Sequence, residues 1–243
     1  MILSRSEIET IAIGVVRDFK QCFYGHAAAQ LDTPCAIPID QFAHDYLGLD
    51  VNYYPLSKDG HLCGLTAYAD TEILLEINGQ IQKIPLKQNQ VILDSGFLKD
   101  GHIKESCGKR RFTLAHECAH QILYQLDHDS VNDASSQMYS CRTIYTPREL
   151  KTREDWNEWQ ANALGAAILM PCEDLEAALE KYRIRYPLKA YAGHFPYLDR
   201  MALDTLCRLF GTSRTAMAIR LEHLGLLKQL PRFEFHDPVE VFV

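Results

Sequence analysis

The chain has 243 residues and a formal net charge of -7, from 25 Lys and Arg against 32 Asp and Glu, with 47% hydrophobic and 23% charged residues. That composition is ordinary for a globular protein; the acidity disfavours a nucleic-acid-coating role, which needs a Lys/Arg surplus, and no apolar run approaches the roughly 18 residues of a membrane span. Arg5, Glu7 and Glu9 interrupt any secretory apolar region, so the expected location is cytoplasmic, and the eight scattered cysteines, with no Cys-x-x-Cys pair, are expected to be reduced and buried as small hydrophobes.

Taken in chain order, the first element is a helix opened by Ser6-Glu7-Ile8-Glu9 as a capping box, with Ile8, Ile11, Val15 and Phe19 at helical spacing. A short helix follows from Pro38 to Tyr46, with Phe42 and Tyr46 on one face and Gly48 ending it. Leu49, Val51 and Tyr53 then alternate with polar residues, as in a half-buried strand. Thr71 to Ile77 is β-prone and Asn78-Gly79 is a hairpin signal, with Ile81, Ile84 and Val91-Ile92-Leu93 continuing a sheet of about three to five strands. Phe112 to Tyr124 reads as a helix without Gly or Pro, and the polar stretch 127–150 as an irregular excursion. Thr152-x-x-Asp155 caps another helix, which runs through Met170 to Pro171, and Leu175, Ala178, Leu179 and Tyr182 mark a shorter one. Tyr186 to Pro196 is the best linker candidate. Leu198 to Phe210 and Ser213 to Leu224 form two helices about Gly211, in the pattern of a helix-turn-helix. The tail from Phe233 to Val243 alternates like an edge strand. The fold class is therefore α+β, with a domain over 1–185 and a helical, helix-turn-helix-like appendage and tail over 186–243.

The chemistry is concentrated in His116-Glu117-Cys118-Ala119-His120. Helical residues four apart differ by about 40° in azimuth, so both imidazoles can share one metal ion. Glu117 lies about 100° round the helix, where it can reach a metal-activated water without ligating. This is the pattern of zinc-assisted hydrolysis, with Zn2+ as the cofactor. A hydrolytic zinc needs a third protein ligand and an open position. Glu158, with Asn162 one turn on to orient an imidazole, is the leading candidate, and His128, Asp127 and His194 are its rivals. Nothing in the spacing of the twelve tyrosines singles one out as an oxyanion donor.

The stretch from Arg110 to His120 resembles the RRFTLAHE-x-x-H signature of the ImmA/IrrE family of zinc metallopeptidases. The stretch from Glu158 to Pro171 resembles its E-x-E-A-N-x-F-A-x-x-L-L-M-P block. Ser213 to Leu227 is similar to its S-x-x-A-x-x-x-R-L-x-x-L-G-L-L ending. The resemblance implies a zincin-like core with a gluzincin-like site: His116, His120 and Glu158 as zinc ligands, Glu117 as general base, and Asn162 beside a ligand. The chain departs from the family pattern at Gln160, in place of a second glutamate, and at Cys118-Ala119. Cys118 is expected to be a core residue, and the long segment between His120 and Glu158 to be an inserted lid or specificity loop.

The resemblance implies a zinc-dependent endopeptidase acting on a protein substrate, such as a helix-turn-helix repressor, with cleavage regulating transcription. The alternative is a regulatory protein- or DNA-binding module whose zinc is structural. Arg214 and Arg220, with Glu222 beside them, make a poor phosphate-binding face, which disfavours nucleic acid as a partner.

Overall fold

The computed structural model describes residues 1–25, 34–56, 62–77, 79–98, 103–127, 139–141 and 152–235. Helix α1 spans Arg5–Tyr24, and its N-cap is Ser4, two residues before the expected one. Ser4 and Glu7 form the capping box, with Glu7 N donating to Ser4 Oγ at 3.3 Å and Ser4 N donating to the Glu7 carboxylate at 2.8 Å. Ser6 lies inside the helix, and the same spacing rule applied from Ser4 gives the observed start. Ile8, Ala12, Val16 and Phe19 form the buried face of α1. Helix α2, Ile39–Gln41, continues as a π-helical turn, Phe42–Tyr46, and Gly48 at φ 67° ends the segment. Phe42 and Tyr46 do share a face, with ring centroids 5.2 Å apart.

Strands β1 (Asp50–Tyr54), β2 (Gly64–Ala67), β5 (Gln90–Asp94) and β6 (Tyr139–Cys141) make a mixed sheet in the order β1-β5-β2-β6. β1 runs parallel to β5, and β2 is antiparallel to both β5 and β6. The expected hairpin is present as β3 (Thr71–Ile77) and β4 (Gln80–Leu86), paired in register around Gly79, with Asn78 outside the described residues. The hairpin covers the sheet face that α3 does not. Ile92 of β5 joins Leu65, Ala67, Ile73, Leu75 and Leu86 in a small core beneath it. Val91 and Leu93 enter the main core on the helical side. Both faces of β5 are thus dry, which explains its unbroken Val-Ile-Leu run.

Helix α3, Ile103–Leu126, and helix α4, Arg153–Leu169, cross at the centre of the main core. The α4 start is as expected: Thr152 and Asp155 complete a reciprocal capping box. Helix α5 spans Cys172–Lys181. The expected linker is not one. It contains β7, Leu188–Tyr191, which pairs in parallel with β8, Leu227–Leu230. Its Pro and Gly residues flank the strand instead of breaking a connection, and Leu188 and Ala190 are buried. Helices α6, Tyr197–Phe210, and α7, Arg214–His223, meet at Gly211 in the left-handed conformation, with Ser213 Oγ capping α7. Phe210, Met217 and Leu221 belong to the same apolar cluster as Ile8, Leu114 and Leu164.

Phe233 lies in a 3-10 turn, Arg232–Glu234, in place of a strand, and residues 236–243 of the tail lie outside the described residues. So does most of the expected excursion at 127–150. Among the described residues there are seven α-helices with small sheets, an α+β arrangement consistent with a zincin-like peptidase core, and no helix long and apolar enough to cross a membrane.

Cys22, Cys35, Cys63, Cys107, Cys118, Cys172 and Cys207 are free thiols, but of these only Cys63 and Cys118 are buried; Cys22, Cys35 and Cys107 are exposed. Burial of the whole set was expected from their apolar character alone. A thiol tolerates water well enough that its position is decided by the face it occupies.

Candidate metal centre

The stripe that carries the motif lies in the middle of α3, the part of the helix packed most deeply. His116 and Glu117 are fully buried, and His120 and Glu158 are 3% and 5% exposed. Groups so polar are found inside a protein only when other groups or an ion satisfy them. α3 approaches α4 closely because Gly165 has no side chain: a Cβ there would lie 3.0 Å from His116 N and 3.1 Å from Ala115 O. That close crossing brings Glu158, on the first half of α4, to the two imidazoles.

His120 Nε2 lies 3.1 Å from Glu158 Oε1, His116 Nε2 lies 3.3 Å from Glu158 Oε2, and the two Nε2 atoms are 3.0 Å apart. A tetrahedral ion with bonds of roughly 2.0–2.1 Å sets its donor atoms about 3.3 Å apart, close to these separations. Two imidazole nitrogens and a carboxylate, convergent and buried, are also the right donor chemistry for zinc. The cluster of His116, His120 and Glu158 could therefore hold a metal ion. Burial pushes the Glu158 carboxyl up, but hydrogen bonds and charge from His116 and His120 outweigh it and hold the group below the usual carboxylate range.

Asn162 lies one turn beyond Glu158, and its Oδ1 is 3.1 Å from His116 Nδ1. An amide oxygen only accepts, so Nδ1 donates and Nε2 turns its lone pair toward the cluster. Gln160, where the family pattern has a second glutamate, faces away from the site, as a two-residue offset on a helix requires. Its Oε1 accepts from Leu3 N at 2.7 Å, so this position ties α4 to the N-terminal segment.

Two of the rivals for the third ligand, Asp127 and His194, are elsewhere. Asp127 binds the N-terminal amine at 2.8 Å and Arg153 at 3.3 Å. His194 is exposed at the β7 bridge, with Nδ1 3.4 Å from Ala192 O. His128 lies outside the described residues. Cys118 is in the main core and not among the clustered donors, and burial, reinforced by the charge of Glu117, pushes its thiol well up.

Several residues with no role legible in the sequence hold the site. Arg110 pairs with Asp40 and donates to Tyr53 Oη at 2.8 Å. Arg111 donates to Gly211 O at 3.1 Å and Ile37 O at 2.8 Å. These two arginines fasten the N-terminal half of α3 to α2, β1 and the α6–α7 turn. Gln121, one turn beyond Glu117, donates to Thr66 Oγ1 at 2.7 Å and Ala67 O at 3.0 Å, which fastens β2 along the same helix. Two arginines directly preceding the metal motif were the available signal. For Gln121 no local signal existed.

Residues 104–222 match the family model Peptidase_M78, the IrrE N-terminal-like domain. The span includes His116, Glu117, His120, Glu158 and Asn162 and extends into α7, and it bears out the ImmA/IrrE resemblance. It supports a function of the metallopeptidase type. No curated protein matches the chain.

Proposed function

We propose that this chain, with its Peptidase_M78 domain, is a zinc-dependent endopeptidase that hydrolyses a peptide bond in a protein substrate. The observation that carries the reading is the convergence of His116, His120 and Glu158 beside Glu117 on one buried helix crossing. A zinc ion bound by those three residues supplies Lewis acidity, which activates water and polarises a carbonyl.

The rest is the work of this chain's own side chains. Glu117 accepts the proton of the attacking water at its carboxylate and returns it to the leaving amine. Asn162 holds the His116 ring in the tautomer that presents Nε2 to the cluster. Arg110 and Arg111 keep the motif's helix rigid, so that acid, base and ligands retain their relative positions. By resemblance to the family, the substrate is a transcriptional repressor of the helix-turn-helix kind, and cleavage acts as a switch. Arg220 is buried against Glu9 and Arg214 is paired with Asp204, which supports assigning α6 and α7 to packing ahead of DNA contact.

The purified protein is expected to hold close to one zinc per chain. Glu117→Gln is expected to keep that zinc and to lose cleavage of candidate repressors encoded nearby, read by mass spectrometry after co-incubation. A chain that binds no zinc sinks the reading. Full zinc with equal cleavage by both proteins removes Glu117 from its role.

A further inference from the structure

We propose that Gly64 is a positioning residue for Glu117: the missing side chain at this point of β2 is what gives the carboxylate its place. The role of Glu117 comes from the peptidase reading above; the contact does not. Gly64 is buried within β2, opposite Leu93 of β5. It is not among the positive-φ glycines, so its backbone is one that any residue adopts. Glycine in a strand interior packs nothing and loses the most conformational freedom on folding, so its presence calls for another cause.

The cause is a close approach. A Cβ at Gly64 would lie 2.4 Å from Glu117 Oε1, 3.1 Å from Glu117 Cδ and 2.7 Å from Thr113 Cγ2. Thr113, Glu117 and Gln121 are successive turns of one α3 stripe, and Gln121 pins β2 through Thr66 and Ala67. β5 holds the other side of β2 at Gly64 itself. The strand is therefore clamped, and an added methyl group displaces the flexible carboxylate in preference to the backbone. Moving from 2.4 Å to ordinary contact at 3.4 Å shifts Oε1 by about 1 Å. His116 and His120 leave α3 on the side facing α4, so the ligand cluster is not touched.

The test uses a Thr113→Ser parent, which removes the second obstructing methyl and keeps the hydroxyl that donates to Lys109 O at 3.0 Å. In this parent, Gly64→Ala is expected to retain zinc stoichiometry and KM, while kcat falls by roughly 100-fold, the scale of a 1 Å misplacement. An unchanged kcat overturns the proposal. A second measurement does not need activity. In a thermal-denaturation cycle, Gly64→Ala is expected to lower Tm when Glu117 is present and to leave it equal or raise it in Glu117→Ala, where the methyl has room. Equal Tm changes in both backgrounds overturn the proposal. Tm coupling without hydrolysis by any protein of the set overturns the peptidase reading and leaves the contact standing.

Discussion

Replacing Arg220 by methionine tests whether the C-terminal helices belong to the core that holds the candidate metal centre. Arg220 is 3% exposed; its Nε donates to Met170 O at 3.0 Å, and its two terminal nitrogens pair with the Glu9 carboxylate. One side chain thus joins α7 to the C-cap of α4 and to α1. Methionine fills a similar volume, so the loss is chiefly polar. The buried Met170 carbonyl loses its donor, at a cost of about 1–3 kcal/mol. Glu9, a quarter exposed, loses its counter-charge but regains part of its hydration. Breaking a buried pair costs about 3–5 kcal/mol; with Glu9 partly wet, the total is about 3 kcal/mol. At about 2–4 °C per kcal/mol for a chain of this size, Tm falls by about 6–12 °C. Calorimetry of the zinc-loaded proteins at neutral pH measures it. Adding Glu9→Gln to Arg220→Met is expected to recover part of the loss, since the stranded charge is gone. A single variant within about 2 °C of the parent would refute the reasoning, because at that size the arginine is not what joins the three helices.

Asn162→Ala is expected to weaken zinc affinity by about 10–100-fold, as loss of an oriented imidazole does; chelator competition measures it, and an unchanged affinity removes Asn162 from that role. Burial, aided by the charge of Asp204, raises the Cys207 thiol to about 11, so the folded chain favours the neutral form. The stabilising contribution is intact below the ordinary thiol value of about 8.5 and is lost as pH rises toward about 11. Alkylation of Cys207 is accordingly expected to lag behind exposed Cys22 and Cys107 at pH 8 and to accelerate up to about pH 11. A Cys207 rate that levels off near pH 9 contradicts this.

Much of the site was legible because its parts are local. His116, Glu117 and His120 lie within five residues of one helix, and helical geometry alone puts both imidazoles on one side. The hairpin around Gly79 and the α4 capping box were legible for the same reason. Local pattern is a poor guide where two patterns compete or where pairing is distant. Ser6 and Ser4 both precede a glutamate-bearing turn, and only the hydrogen bonds decide between them. β7 looked like a linker because its partner, β8, lies some forty residues later and its pairing leaves no local mark. β2 was missed because Gly64 breaks the apolar alternation, and the reason for that glycine is a carboxylate on another element.

The residues alone determined the donor types, the helix that carries two of them, and the family resemblance, since those depend on chemistry and spacing along the chain. Spacing alone left Glu158 competing with Asp127, His128 and His194, and the resemblance favoured Glu158. Against Asp127 and His194 the crossing of α3 and α4 favours Glu158: the absent side chain of Gly165 lets one carboxylate reach both imidazoles, while Asp127 is engaged with the N-terminal amine and His194 is exposed. The tertiary structure likewise turned Arg220 from a possible phosphate contact into an internal tie, and Gly64 from an interruption into a fit. Distance along a helix can be counted from the sequence; closeness between elements is set by the volumes that pack between them.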